Sequence, residues 1–143
     1  MDKIKVIFIS GIMILVLGST LAFTGFKIAQ NNEDFEKKIL WIENSGLNKF
    51  SASYRIFTGD EVRKFTAKEN QKITLDYEAE VNKGTLIIEF KDFDGEKLWK
   101  LELNQDDKIN EEKVWDAEKA GEYILNIKGE ETGGSFNIKW LVN

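Results

Sequence analysis

Residues 72–81, KITLDYEAEV, alternate apolar and polar without interruption. Ile73, Leu75, Tyr77, Ala79 and Val81 share one phase; Thr74, Asp76, Glu78 and Glu80 share the other. A period of two buries one side of the chain only if the backbone is extended, because successive side chains of a strand point to opposite faces. The charged phase must then face water, as it does in an antiparallel sheet with one wet side. The same period governs most of the sequence after Phe50. SASYRIF and EVRKFTA flank Thr58-Gly59-Asp60, which predicts a tight hairpin turn. TLIIEFKDF follows Asn82-Lys83-Gly84, with Leu86, Ile88 and Phe90 in phase. Asp94-Gly95 is a strong hairpin signal before KLWKLEL, which points Trp99, Leu101 and Leu103 inward. KVWDAEKA is a shorter strand carrying Trp115. GEYILNIKGEETGGSFNIKW predicts a last hairpin reversing at Gly133-Gly134. About eight short strands between residues 50 and 143 predict an all-β fold, an antiparallel, jelly-roll-like β-sandwich.

Composition narrows the chemistry. The 143 residues include no Cys, no His and no Pro. Disulfides, thiolate or imidazole metal sites, and Cys- or His-based catalysis are therefore excluded. The four serines beyond the N-terminal segment, Ser45, Ser51, Ser53 and Ser135, lie in no nucleophile motif. The carboxylates form no recognisable glycosidase arrangement. No enzyme is expected. The net charge is -5, and leaving out residues 1–26 removes Lys3, Lys5 and Asp2 to give -6. Such a surface repels a phosphate backbone, so no nucleic acid partner is expected.

Val6 to Phe26 is a run of 21 residues without a charge. As a helix it would span about 31 Å, close to the hydrocarbon thickness of a bilayer. Lys3 and Lys5 precede it, a bias that keeps the N-terminus in the cytoplasm and sends the rest outside. Two readings stand: an uncleaved single-pass anchor in the cell membrane, or a signal peptide cleaved near Ala22 that releases a secreted protein. Both place the C-terminal portion outside the cytoplasm. Residues 32–44, NEDFEKKILWIEN, have an Asn cap, early acidic residues and a Phe35-Ile39-Ile42 stripe, which predict a short amphipathic helix ending at Gly46 with Leu47 as its hydrophobic contact. The expected divisions are 1–27, anchor or signal peptide; 28–49, juxtamembrane linker with the helix; and 50–143, sandwich.

FTAKENQKITLDYEAEVNKGTLIIEFKDFDGEKLW and AEKAGEYILNIKGEETGGSFNIKW together resemble the bacterial pre-peptidase C-terminal domain, over residues 65–140. The alternation at Ile73–Tyr77, Asp92 with Asp94-Gly95, Ala120-Gly121-Glu122-Tyr123 and the strand from Gly134-Ser135-Phe136 carry the resemblance. It implies an extracellular β-sandwich akin to the clostridial collagen-binding domains. Members of that family usually sit beside a secreted enzyme; the residues here offer an apolar segment and a helix instead.

Two clusters could bind. Asp92, Asp94 and Glu96 place carboxylates at alternate positions around a glycine turn, a set of oxygen donors that suits calcium, with Asp106, Asp107, Glu111 or Glu112 as further ligands. Position 12 counted from Asp92 is Leu103, so the loop is not an EF-hand. The opposing reading is a solvated hairpin. Of the tryptophans, Trp99 and Trp140 fall in phase with aliphatic neighbours and belong to the core, Trp41 belongs to the helix, and Trp115, on a short strand, is the better candidate for exposure to a ligand, with a core position as the opposing reading. Ile87, Leu98, Ile124 and Leu141 fall on the polar phase and form either an outer patch or the seat of the helix. The expected function is non-catalytic: a membrane-anchored extracytoplasmic domain binding a protein or cell-envelope component. The alternative is a secreted carbohydrate- or matrix-binding module.

Overall fold

The computed structural model describes residues 36–143; the apolar segment at 6–26 and the first part of the expected helix lie outside the described residues. Seven strands follow in order: β1 (Lys37–Ile39), β2 (Ile42–Glu43), β3 (Lys49–Ala67), β4 (Lys72–Lys91), β5 (Lys97–Leu103), β6 (Lys108–Asp116) and β7 (Gly121–Val142). All pairings are antiparallel.

Three strands are unusually long: β3 has 19 residues, β4 has 20 and β7 has 22. At about 3.3 Å per residue each would stretch some 60–75 Å, far beyond a domain of this size, whose radius of gyration is about 13 Å. Each therefore bends. The register of β3 on β7 slips between Tyr54 and Phe57 and again between Phe57 and Gly59. That of β4 on β7 slips between Val81 and Lys83 and between Lys83 and Thr85. The inward phase changes at these bulges, from Phe50, Ala52 and Tyr54 to Phe57 and Ala67 in β3, and from Val81 to Leu86 in β4. In β7 it passes from Ile127 to Phe136.

The bends fold the sheet over. The first part of β3 and the second part of β7 pair with each other, and the second part of β7 also pairs with the first part of β4, which carries β6 on its other edge. The remaining parts form the other half, in the order β3, β7, β4, β5. Contacts across the fold bring the halves face to face. Tyr77 of β4 meets Trp99 of β5 at 4.8 Å between ring centroids, Phe90 of β4 meets Trp115 of β6 at 4.8 Å, and Phe65 of β3 meets Trp140 of β7 at 5.6 Å. Phe50, Phe57, Tyr77, Phe90, Phe136 and the aliphatic residues in phase with them fill the interior.

The expected hairpin turns at Gly59 and Gly133-Gly134, and the break between strands at Gly84, are thus corners inside continuous strands, whereas Asp94-Gly95 is a true hairpin turn between β4 and β5. Local sequence reads the same at a reversal and at a corner, because both need backbone freedom. Gly134 illustrates the need: at φ 145°, a Cβ there would collide with the carbonyl oxygen of Glu80.

The helix expected at 32–44 is not present over residues 36–44, which form β1, a kink at Leu40 (φ 51°) and β2. Both strands pair along β3, where they satisfy backbone groups that a helix would leave open at the sheet edge. Ile42 and Leu40 are exposed, so no helical stripe is buried; Trp41 instead packs on Phe57 (5.1 Å), Tyr54 (5.5 Å) and Phe136 (6.2 Å). Leu47 is exposed in the β2–β3 turn, where the Gly46 N–H donates to the Lys49 carbonyl at 2.9 Å. Above this cluster lie Arg63, 3.6 Å from the Phe50 ring centroid, its partners Glu43 and Glu61, and Lys38 paired to Glu61. Ile87 is buried on the outer phase with no helix over it among the described residues, while Leu98 and Leu141 are exposed.

Candidate functional site

The turn joining β4 to β5 and the loop joining β6 to β7 come together at one end of the sandwich. In the first, Asp92 is 6% exposed, and its Oδ1 accepts the N–H of Asp94 (3.0 Å) and of Glu96 (2.9 Å). A carboxylate acts here as a template for the turn, the usual work of an Asp before a Gly. In the second, the Ala117 N–H donates to the Gln71 carbonyl at 2.8 Å, and the Tyr123 hydroxyl donates to the Lys119 carbonyl at 2.8 Å. Lys119 links the two segments: its Nζ lies 3.1 Å from Asp94 Oδ2 and 5.8 Å from the Phe93 ring centroid. The hydrogen bond and charge of Asp94, with a further contribution from Asp92 and Glu96, hold the Lys119 ammonium above the ordinary lysine pKa.

Between the two segments opens a cleft of about 200 Å³. Asp92, Glu96 and Leu98 line it from the β4–β5 side; Trp115, Asp116, Glu118, Lys119 and Tyr123 line it from the other. Trp115 is half-buried, leaning on Phe90 and, at 5.9 Å, on Trp99. Indole and carboxylates in one concavity can bind by stacking, hydrogen bonding and charge together.

The fold thus draws together Asp92, Glu96 and Trp115, which the sequence singles out separately, with Asp94 one ion pair away. Among the described residues, no three metal-binding side chains are placed to hold one ion. Asp106 and Asp107 sit at the far end of β5, where the Asp107 Oδ2 accepts the Asn104 N–H at 2.7 Å, and Glu111 accepts the Tyr77 hydroxyl at 3.0 Å. Trp140 is buried in the core and Trp99 is half-buried against it. Asp116, Glu118 and Lys119 carry no binding signal of their own in the sequence; they and Tyr123 join the site because the bent strands fold the half that carries β6 against the half that carries the β4–β5 turn. Two further depressions, of about 300 and 260 Å³, lie around Glu78 and Ser135, and neither is lined by Trp or Tyr.

No family model and no curated protein sequence matches this chain. Among solved structures, one described as "CBM4 structure and function" is similar with a TM-score of 0.51 at 6% identity, over 80% of this chain and 81% of that one. A carbohydrate-binding module from Cellvibrio mixtus lichenase 5A, in complex with cellotriose, gives a TM-score of 0.42 at 11% identity, over 73% and 85% of the two chains. The resemblance carried by residues 65–140 has its counterpart in the pre-peptidase C-terminal domain of a collagenase from Bacillus anthracis, at 17% identity and a TM-score of 0.47, over 68% of this chain and 91% of that one. At 6% identity, what the first of these shares with this chain is the fold.

Proposed function

We propose that this chain is a non-catalytic binding module, a jelly-roll-like sandwich held outside a membrane by residues 6–26, and that it binds a protein or cell-envelope component through the cleft at Trp115. The observation that carries the reading is the cleft itself: an indole, several carboxylates and one ammonium converge there on an open space of about 200 Å³. The hydroxyl of Tyr123, which also lines the cleft, is spent on the Lys119 carbonyl. The charge bias of Lys3 and Lys5 ahead of the apolar run supports an outward-facing domain. A second reading, a secreted carbohydrate-binding module released by cleavage near Ala22, draws support from the same Trp115, since an indole face stacks on the C–H face of a sugar ring.

The test is co-sedimentation of the full chain, in neutral detergent, with an insoluble cell-envelope fraction. Trp115→Ala is expected to weaken binding by about tenfold or more; because Trp115 also packs on Phe90 and Trp99 the variant melts at a lower temperature, so binding is compared well below that melt, with circular dichroism confirming the fold. Binding that ignores this substitution, or no binding at all, would remove the cleft from consideration. The mass of the mature N-terminus separates the two readings: a chain beginning at Met1 supports the anchor, and one beginning after Ala22 supports secretion.

A further inference from the structure

We infer that the open edge of β6 pairs with the same edge of a second copy of this chain, antiparallel about a two-fold axis at Glu112. Among the described residues β6 (Lys108–Asp116) pairs on one side only, with β4. Seven of its nine residues are exposed. Backbone groups alternate in direction along an antiparallel ladder. Just beyond the two ends of the strand, the Val81 N–H donates to the Asp107 carbonyl and the Ala117 N–H to the Gln71 carbonyl. The residues in step with Asp107 and Ala117, namely Ile109, Glu111, Lys113 and Trp115, therefore turn their N–H and C=O groups to β4. Lys108, Asn110, Glu112, Val114 and Asp116 turn theirs outward, where no described strand meets them. An open row of donors and acceptors of this length is a template for another strand.

The order of side chains along the edge selects its partner. Pairing β6 with itself about Glu112 sets Lys108 opposite Asp116, Ile109 opposite Trp115, Asn110 opposite Val114 and Glu111 opposite Lys113, each pair occurring twice by symmetry. The outward-turned residues then meet one another and close about ten hydrogen bonds. Ile109 with Trp115 and Glu111 with Lys113 fall at the non-hydrogen-bonded positions, where opposing Cα atoms are only about 4.5 Å apart and side chains interact most. These four share the inward phase of β6, in which Ile109 and Trp115 pack partly against the core. Glu111 and Lys113 are exposed charges in that same phase, a device that keeps a foreign apolar strand off an edge. Against a second β6 each meets its opposite. Within the chain, among the described residues, Lys108, Glu111 and Lys113 form no ion pair, and Asp116 has only a loose 3.7 Å pair with Lys72. Moving the axis by one residue in either direction sets Glu111 against Glu111, or Lys113 against Lys113, at the closest positions. β5, which also pairs on one side only, offers no such match: about its centre, Lys100, Lys97 faces Leu103 and Leu98 faces Glu102. The one mismatch in the β6 pairing is Glu112 against Glu112 at the axis, where both side chains are exposed.

The experiment exploits a chain without Cys. Glu112→Cys puts one thiol on the axis, with opposing Cα atoms about 5.5 Å apart, within reach of a disulfide. The full chain, in neutral detergent, is oxidised with copper phenanthroline, and the covalent dimer is read on a non-reducing gel. Glu112→Cys is expected to cross-link with itself. Asn110→Cys is not, because the two copies of position 110 lie four residues apart along the pair, about 13 Å; mixed with Val114→Cys it is expected to cross-link. In the Glu112→Cys chain, Lys113→Glu is expected to lower the dimer about fivefold or more, and adding Glu111→Lys to restore it by exchanging the two charges. Glu111→Lys also gives up the bond from the Tyr77 hydroxyl, so a second variant leaves that residue alone. Val114→Pro removes an outward N–H and keeps the β4 ladder whole, which circular dichroism checks. Excess unsubstituted chain, added before oxidation, is expected to dilute the Glu112→Cys dimer, and excess Val114→Pro chain is not. Association through residues 6–26 alone would cross-link Asn110→Cys as readily as Glu112→Cys. That result, no dimer of Glu112→Cys, indifference to Lys113→Glu, or no dilution by the unsubstituted chain overturns the pairing. Envelope binding and its response to Trp115→Ala are read separately, so the cleft stands or falls by its own test.

Discussion

Asp92 shapes the β4–β5 turn with one carboxylate oxygen, Oδ1, which accepts two backbone N–H groups. Substitution tests that role. Asp92→Asn keeps an acceptor for the two N–H groups and is expected to cost under about 1 kcal/mol in urea unfolding, whereas Asp92→Ala leaves both donors unpaired in a nearly buried site and is expected to cost about 2–4 kcal/mol. Tyr77 is a second residue with a measurable signature. Burial first, then its hydrogen bond and proximity to Glu111, push its phenol up to about 12. Burial moves Tyr54 in the same direction. The folded protein thus holds these protons at a pH where the unfolded chain, with tyrosines near 10, has released them. Stability is complete below pH 10 and falls as pH rises from 10 towards 12. Tyr77→Phe is expected to cost about 1 kcal/mol at neutral pH and to flatten part of that alkaline decline, read from urea midpoints between pH 9 and pH 11.

At the scale of elements, the corners of β3, β4 and β7 are the decisive feature. A strand that turns a corner keeps its ladder partners on both sides, so no turn interrupts the pairing, and the extra residue at each bulge resets which phase faces inward. The corner is also where substitution is least tolerated. Gly134→Ala combines a φ of 145°, which L-residues avoid, with a collision against the Glu80 carbonyl, and neither partner is a flexible side chain. It is expected to destabilise by about 3 kcal/mol or more, or to prevent folding. Gly95→Ala, in the hairpin turn, meets nothing within 4 Å and carries the backbone term alone, at about 1 kcal/mol. Thermal melts of the pair would separate collision from conformation; equal losses would contradict this account. β1 and β2 show the complementary rule: a segment with helical spacing becomes strand where an open sheet edge is beside it.

For the described residues as a whole, the two faces of the sandwich are made from the same three strands. Neither half can unfold while the other remains, because β3, β4 and β7 would have to melt through their middles. Unfolding in urea is expected to be a single transition, with tryptophan fluorescence and far-ultraviolet circular dichroism coinciding. Two separated midpoints would mean that the corners are hinges between independent sheets. Almost every pairing is also distant in sequence, which places refolding in the millisecond-to-second range typical of all-β sandwiches.

The alternation of KITLDYEAEV determined its strand and the buried identities of Ile73, Leu75, Tyr77, Ala79 and Val81, because period-two burial is a local property of extended backbone. The Asp94-Gly95 turn was legible for the same reason: turn chemistry acts over four residues. Tertiary structure alone decided that Gly59, Gly84 and Gly134 mark corners, since reversal and bend make the same demand on a glycine and differ only in which distant strand lies alongside. It alone turned residues 37–43 from helix to strand, through hydrogen bonds to the edge of β3. The cleft divides the same way. Asp92, Glu96 and Trp115 could be named one by one from the sequence, but their meeting with Lys119 required the two halves of the sandwich to fold face to face, a proximity that no local pattern encodes.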